Sequence, residues 1–291
     1  MNYQEIREQI CDVCHKMWQL GWVAANDGNV SVKLPDGNFL VTPTGISKSF
    51  ITSEKLVIID KDMNIVEAEG NYKPSSEIKM HMRCYTERDD VGAVVHAHPP
   101  TATGYAVAGK SLDEYSMIET VIAIGSIPLT PYGTPSTNEV PEAIAPYLAE
   151  HDVLLLQNHG ALTVGCDLIT AYYRMETLEL FAKISLNAHL LGGAKEIPKE
   201  QIDKLLYLRD NYYHVTGRHD NVRKAGEKTE KNGIGRMTYA DQGFGYVLRN
   251  ERIPHRRRAN RRFFFCGLLR QRSHRRRSLP HFIQNGRRIF L

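Results

Sequence analysis

The stretch VVHAHPP, residues 94–100, decides how this chain is read. An apolar run beginning at Val91 ends in two histidines one residue apart, and two prolines stop it. Side chains alternate between the faces of a strand. A strand over 91–98 therefore sends His96 and His98 to one side and Val95 and Ala97 to the other. Two adjacent imidazoles are either half of a metal site or a pair of satisfied histidines on a half-buried strand. A third histidine tips the balance toward metal. In LLLQNHGALTVG, residues 154–165, His159 directly follows a second apolar strand and precedes Gly160, where backbone can approach a neighbour closely. Catalytic zinc takes three protein ligands and leaves a position open for water or substrate, which suits two histidines from one strand and one from the end of another.

Proton chemistry beside a metal also needs a carboxylate. Glu77 is the best-placed candidate, because Ser75 and Ser76 stand where a helix N-cap belongs and helix starts leave free N–H groups that attract anions. As an ordinary residue, Glu77 would be a first-turn acid favoured by the helix dipole. Two turns, NDGNVS at 26–31 and TPTGIS at 42–47, offer backbone N–H groups and hydroxyls suited to a phosphate, or are turns and nothing more.

Further out, the periodicity predicts the frame. Ile6, Ile10, Val13, Met17 and Leu20 recur at helical spacing before Gly21. NVSVKLPDGNFLVT, residues 29–42, is two alternating runs around Pro-Asp-Gly and predicts a hairpin; LVIIDKDMNIVEAE, residues 56–69, predicts a second. Ile78, Met82 and Tyr85 share one face of the helix after the serines. A helix over 101–108, a loop rich in Pro, Gly and Thr over 126–140, a helix over 141–150 and strands at 153–157 and 161–165 follow. A long helix over 167–191 with Ala171, Met175, Leu178, Phe181 and Ile184 on one face ends at Gly192-Gly193. Helices and strands interleave without a repeat, which predicts a three-layer α/β/α domain on a mixed, largely antiparallel sheet.

The chain has 291 residues, 42% of them apolar, enough for a sizeable core. No run of eighteen apolar residues appears, and MNYQEIREQI carries two Glu before any hydrophobic stretch, so neither a membrane span nor a signal peptide is expected and the cytoplasm is the default compartment. Five scattered cysteines suit reduced thiols. CDVCH at 11–15 has the form of a haem attachment string, yet it lies inside the amphipathic first helix and reads as a helical coincidence. The net charge of +4 hides a division: residues 249–291 hold fourteen Arg, no Lys and one acid, Glu251, a net of +13, which leaves −9 for the residues before them. This tail is set apart as an extension, 221–291, beyond a domain at 1–220. It reads as a solvated or aberrant segment, with nucleic-acid binding through its arginines as the rival.

The spread GWVAANDGNVSVK, FLVTPTGISKS, KPSSEIKMHMRCYTERDDVGAVVHAHPP, IPLTPYGTP and LLLQNHGALTVG resembles the class II aldolase/adducin family over roughly residues 1–215. The resemblance implies one zinc ion per chain on His96, His98 and His159, with Glu77 both counted among the metal residues and serving as acid/base, and a phosphate pocket from Gly28, Asn29, Thr44, Gly45, Ser75 and Ser76. It implies a four-fold symmetric homotetramer in which Tyr132 reaches a neighbouring subunit's site. The activity implied is cleavage of a ketose 1-phosphate, such as L-fuculose 1-phosphate, to dihydroxyacetone phosphate and an aldehyde. Ribulose-phosphate 4-epimerase and methylthioribulose-phosphate dehydratase activities share these residues and stand as alternatives; a non-catalytic adducin-like role does not need all four. The family aldolase also uses a tyrosine near its C-terminus, for which this tail offers no match, though one near residue 212 could replace it.

Overall fold

A computed structural model describes residues 3–218 of the chain. The expected boundary at 220 and the arginine-rich tail lie outside the described residues. Eight strands form one sheet in the order β4-β3-β2-β1-β5-β8-β7-β6. They are β1 (Asn29–Lys33), β2 (Phe39–Val41), β3 (Val57–Ile59), β4 (Ile65–Glu67), β5 (Ala93–Ala97), β6 (Leu129–Thr130), β7 (Val153–Leu156) and β8 (Gly160–Gly165). Every pairing is antiparallel except β6 with β7, so the sheet is mixed and largely antiparallel, as expected. Both hairpins form.

Helices cover both faces. On one, α1 (Tyr3–Gln19), α3 (Pro100–Val107) and α6 (Leu168–Leu190) close a core with Ile10, Val13, Met17, Ala102, Ala106, Met175, Leu178 and Phe181. On the other, α2 (Ile78–Glu87) and α5 (Glu139–Leu148) bury Ile78, Met82, Tyr85, Ile144 and Leu148. Strand β5 shows the division residue by residue: Ala93, Val95 and Ala97 enter the first core and Val94 the second. Burial of this apolar surface, at roughly 25 cal/mol per Å², is the main force holding the layers together.

The chain departs from the expected elements at several points. Leu20 is exposed, because α1 stops at Gln19 and Gly21 turns the chain at φ +71°. Ile184 is exposed too; the buried stripe of α6 passes instead through Ala182 and Ser185. The N-cap position of α2 is Glu77 rather than a serine, since Ile78 N–H bonds the Ser75 carbonyl in a turn just before the helix. Helices α4 (Ile118–Ala123) and α7 (Lys199–Leu208), and the short strand β6 inside the Pro- and Thr-rich loop, were not foreseen. The first two pack on each other through Val121 and Ile202. Among the described residues no helix is long and apolar enough to cross a membrane.

The end of β5 is fixed from outside the sheet. Pro100 opens α3 where its missing N–H costs nothing. The fully buried Glu179 of α6 accepts from Thr101 N–H, Ala102 N–H at 2.9 Å and the Thr101 hydroxyl at 2.9 Å. A carboxylate at a helix start matches the dipole and satisfies donors the helix leaves free.

Candidate metal and phosphate site

His96 is the fourth residue of β5 and His98 follows the strand's last residue, its N–H held by the Trp22 carbonyl at 2.8 Å. The third histidine arrives by a tight connection between β7 and β8, in which Leu156 pairs with Gly160, Asn158 takes φ +56° and His159 N–H closes on the Leu156 carbonyl. Gly160 makes the approach possible: a Cβ there would lie 2.4 Å from His98 Cδ2 and 2.6 Å from the Ala97 carbonyl. One ligand nitrogen from each of His96, His98 and His159 falls within 4.8 Å of the others.

The carboxylate of Glu77 completes the group. Its Oε1 lies 3.2 Å from His159 Nε2 and its Oε2 3.5 Å from His96 Nε2. The site is half closed: His96 is fully buried, while Glu77 and His159 keep about a seventh of their side-chain surface exposed. Burial pushes His96 well below the ordinary imidazole value, and burial together with His159 lowers His98. Burial alone would raise Glu77. The His96 and His159 rings and the Asn29 amide outweigh it and hold the carboxyl well below the usual carboxylate range. Burial thus disfavours a charge on His96 and His98, while Glu77 is held as the anion beside them.

These residues fit a divalent metal. The Ala161 carbonyl accepts His96 Nδ1–H at 2.8 Å, which fixes the tautomer and leaves Nε2 with its lone pair toward the cluster. Asp27 Oδ2 stands 3.6 Å from His98 Nδ1, an ionic contact rather than a hydrogen bond. Asp27 was read in the sequence only as part of a turn; nothing in its spacing marks it as a histidine's partner.

The expected phosphate residues come together beside this group. Asn29 pairs across the sheet with His96, and its side chain donates to Ser75 Oγ at 3.2 Å and to Glu77 Oε2 at 2.9 Å. Pro43 and Pro74 bridge the two segments that carry Thr44-Gly45 and Ser75-Ser76, flanked by Thr44 N–H to the Lys73 carbonyl at 2.9 Å and Ser75 N–H to the Thr42 carbonyl at 3.1 Å. Those two amides are thus used within the fold, and what Thr44 and Ser75 offer a ligand is their hydroxyls. Gly28 sits at φ +69° with its would-be Cβ 2.5 Å from Val23 Cγ1 and 2.9 Å from the His96 carbonyl, so the 26–29 turn lies directly on the strand end. Lys48, fully buried, bonds the carbonyls of Asn26 at 3.3 Å and Ile46 at 3.2 Å and ties the two turns together; burial lowers its pKa. Tyr132 stands apart, 57% exposed, with its backbone N–H on Gln157 Oε1, two residues before His159.

Sequence reasoning also missed a buried polar chain behind Asn29. It runs through His81, Ser31 and Tyr85, joining α2 to β1.

Residues 8–186 match the class II aldolase and adducin N-terminal domain. The chain belongs to the class II aldolase and adducin family. Members of its aldolase branch are similar over most of their own length. An L-fuculose phosphate aldolase of Escherichia coli K12 is 35% identical over 186 residues, 64% of this chain and 85% of the relative. One from Haemophilus influenzae is 32% identical over 209 residues, 71% of this chain and 94% of the relative. Among solved structures, an L-fuculose 1-phosphate aldolase is 28% identical with a TM-score of 0.65, covering 70% of this chain and 95% of its own. The Thermus thermophilus L-fuculose-1-phosphate aldolase is also 28% identical, with a TM-score of 0.57, covering 66% and 98%. Class II aldolases are metal-dependent lyases acting on sugar phosphates, and among the described residues His96, His98 and His159 form the cluster able to hold a metal ion.

Proposed function

We propose that the protein is a zinc-dependent aldolase that cleaves a ketose 1-phosphate, such as L-fuculose 1-phosphate, to dihydroxyacetone phosphate and an aldehyde. The observation that carries this reading is the carboxylate of Glu77 set between two of three converging imidazoles, 3.2 Å from His159 and 3.5 Å from His96. A purely structural metal site would have no use for an anion held beside its open side.

In this reading His96, His98 and His159 hold one divalent ion, which when bound supplies Lewis-acid polarisation of the substrate carbonyl. The rest of the work belongs to the chain. The hydroxyls of Thr44, Ser75 and Ser76, with the turns at Gly28-Asn29 and Gly45, anchor the phosphate and so fix the reacting carbons relative to Glu77. Glu77 is anionic and partly desolvated, placed to take and return the proton on the dihydroxyacetone phosphate half. Tyr132, exposed on its loop, serves the aldehyde oxygen in the site of a neighbouring subunit of a homotetramer. The working compartment is the cytoplasm.

The test is release of dihydroxyacetone phosphate from a panel of ketose 1-phosphates by the purified protein, before and after chelation. Release that chelator abolishes and divalent ion restores supports the reading. No release from any member, or release indifferent to chelator, overturns it.

A further inference from the structure

Behind Asn29 lies a closed file of polar side chains in an otherwise apolar layer. His81 is fully buried on α2. Its Nε2 lies 2.5 Å from Asn29 Oδ1 and its Nδ1 2.7 Å from Ser31 Oγ, which in turn lies 2.8 Å from the Tyr85 hydroxyl. On the other side, Asn29 Nδ2 reaches Glu77 Oε2 and Ser75 Oγ.

The chemistry of the groups allows one arrangement of protons. An ionised carboxylate only accepts, so Asn29 must turn its NH₂ to Glu77 and its carbonyl to His81. His81 must then present N–H at Nε2. Burial pushes its pKa down to about 4, so the ring is neutral and Nδ1 accepts from the Ser31 hydroxyl, which accepts from Tyr85. The opposite tautomer would put a lone pair against the Asn29 carbonyl and drive the amide to flip, setting two acceptors against each other at Glu77. An asparagine's two ends have nearly the same shape, so the amide alone does not choose. His81 makes the choice.

The chosen arrangement has a second output. Ser75 Oγ accepts from Asn29 Nδ2 at 3.2 Å and from Glu77 N–H at 3.3 Å, so its own proton is free to point outward. A hydroxyl held as a pure donor is what a phosphate oxygen requires.

We infer that His81 is a positioning residue, whose tautomer sets the Asn29 amide and through it both the Glu77 carboxylate and the Ser75 donor. The kinetic part of this inference rests on the aldolase reading; the tautomer does not. His81 touches no substrate atom and acts at a distance through hydrogen-bond direction.

Two measurements test it. In protein labelled with ¹⁵N-histidine, the spectrum at pH 7 should contain a neutral ring protonated at Nε2 that is absent from His81→Gln; protonation at Nδ1, or a cationic ring, overturns the inference whatever the protein catalyses. In kinetics, His81→Phe should lower kcat about 10- to 100-fold and weaken inhibition by inorganic phosphate. His81→Gln, whose amide can donate to Asn29, should recover most of that loss. In a Glu77→Gln background, His81→Phe should cost nothing further in kcat. Equal losses in both backgrounds, or no recovery with Gln, would show a packing role only. Wild-type protein without lyase activity would defeat the aldolase reading and leave the tautomer measurement to decide this one.

Discussion

Glu77 Oε1 and His159 Nε2 stand 3.2 Å apart, so the anion proposed to move a proton lies against the nitrogen proposed to hold the metal. A first-turn acid with no other task contributes about 0.3–1 kcal/mol to its helix, and neutralising it would leave turnover nearly untouched. A general acid/base in the same place contributes roughly 10²–10⁴ in rate. Glu77→Gln should fold, retain metal and bind inorganic phosphate through Ser75 and Ser76. It should nearly stop exchange of the dihydroxyacetone phosphate proton with solvent. That exchange needs no aldehyde partner, and wild-type exchange in the variant would leave Glu77 only its structural role.

Metal content provides a separate test of the cluster. His96→Ala and His159→Ala should each lose nearly all bound divalent ion by elemental analysis. Gly160→Ala should lower metal affinity without removing any ligand, because its methyl group would occupy the space of the His98 ring, 2.4 Å from Cδ2. Stoichiometric metal in either histidine variant would remove that residue from the ligand set.

Acid should loosen the metal-free protein from a definite pH. His81 titrates at about 4 in the fold against an ordinary 6.5, so the unfolded chain binds the extra proton between those values. The stability it contributes is complete above about pH 6.5 and is lost progressively down to about 4, amounting to about 3 kcal/mol by linkage. His96 and His98 are lowered as well and add loss of the same sign. Urea titrations at intervals from pH 7 to pH 4.5 should show stability falling with pH, less steeply in His81→Gln. Parallel slopes would contradict the low pKa.

What the sequence shows of this arrangement is what travels along one element. Pro35-Asp36-Gly37 marks the β1–β2 hairpin, and strand alternation puts His96 and His98 on one face, because both patterns are written in neighbouring residues. His81 gives no such signal. It stands between the face residues of a helix, and its partners Asn29 and Ser31 lie about fifty residues earlier, brought near only when α2 settles on β1. Strand β6 is hidden for a different reason: two residues in a Pro- and Thr-rich loop become a strand by pairing with β7, not by their own preference. The serines before α2 read as caps; their place is taken by Glu77, and the hydroxyl of Ser75 instead accepts from the Glu77 amide.

Strand β5 is hydrogen-bonded on both sides, to β1 and to β8, and is the fifth strand from one edge of the sheet and the fourth from the other. Its amides should be among the slowest in the protein to exchange with solvent. The residues assigned to the sugar phosphate sit on turns at 26–29 and 42–47 and on the approach to α2, outside the strand interiors apart from Asn29 at the start of β1. Selection acting on the exposed loop of Tyr132, proposed to serve the aldehyde half, would retune which sugar is admitted while the phosphate turns and the imidazoles stay in place, so one inherited metal-binding frame can serve a succession of substrates.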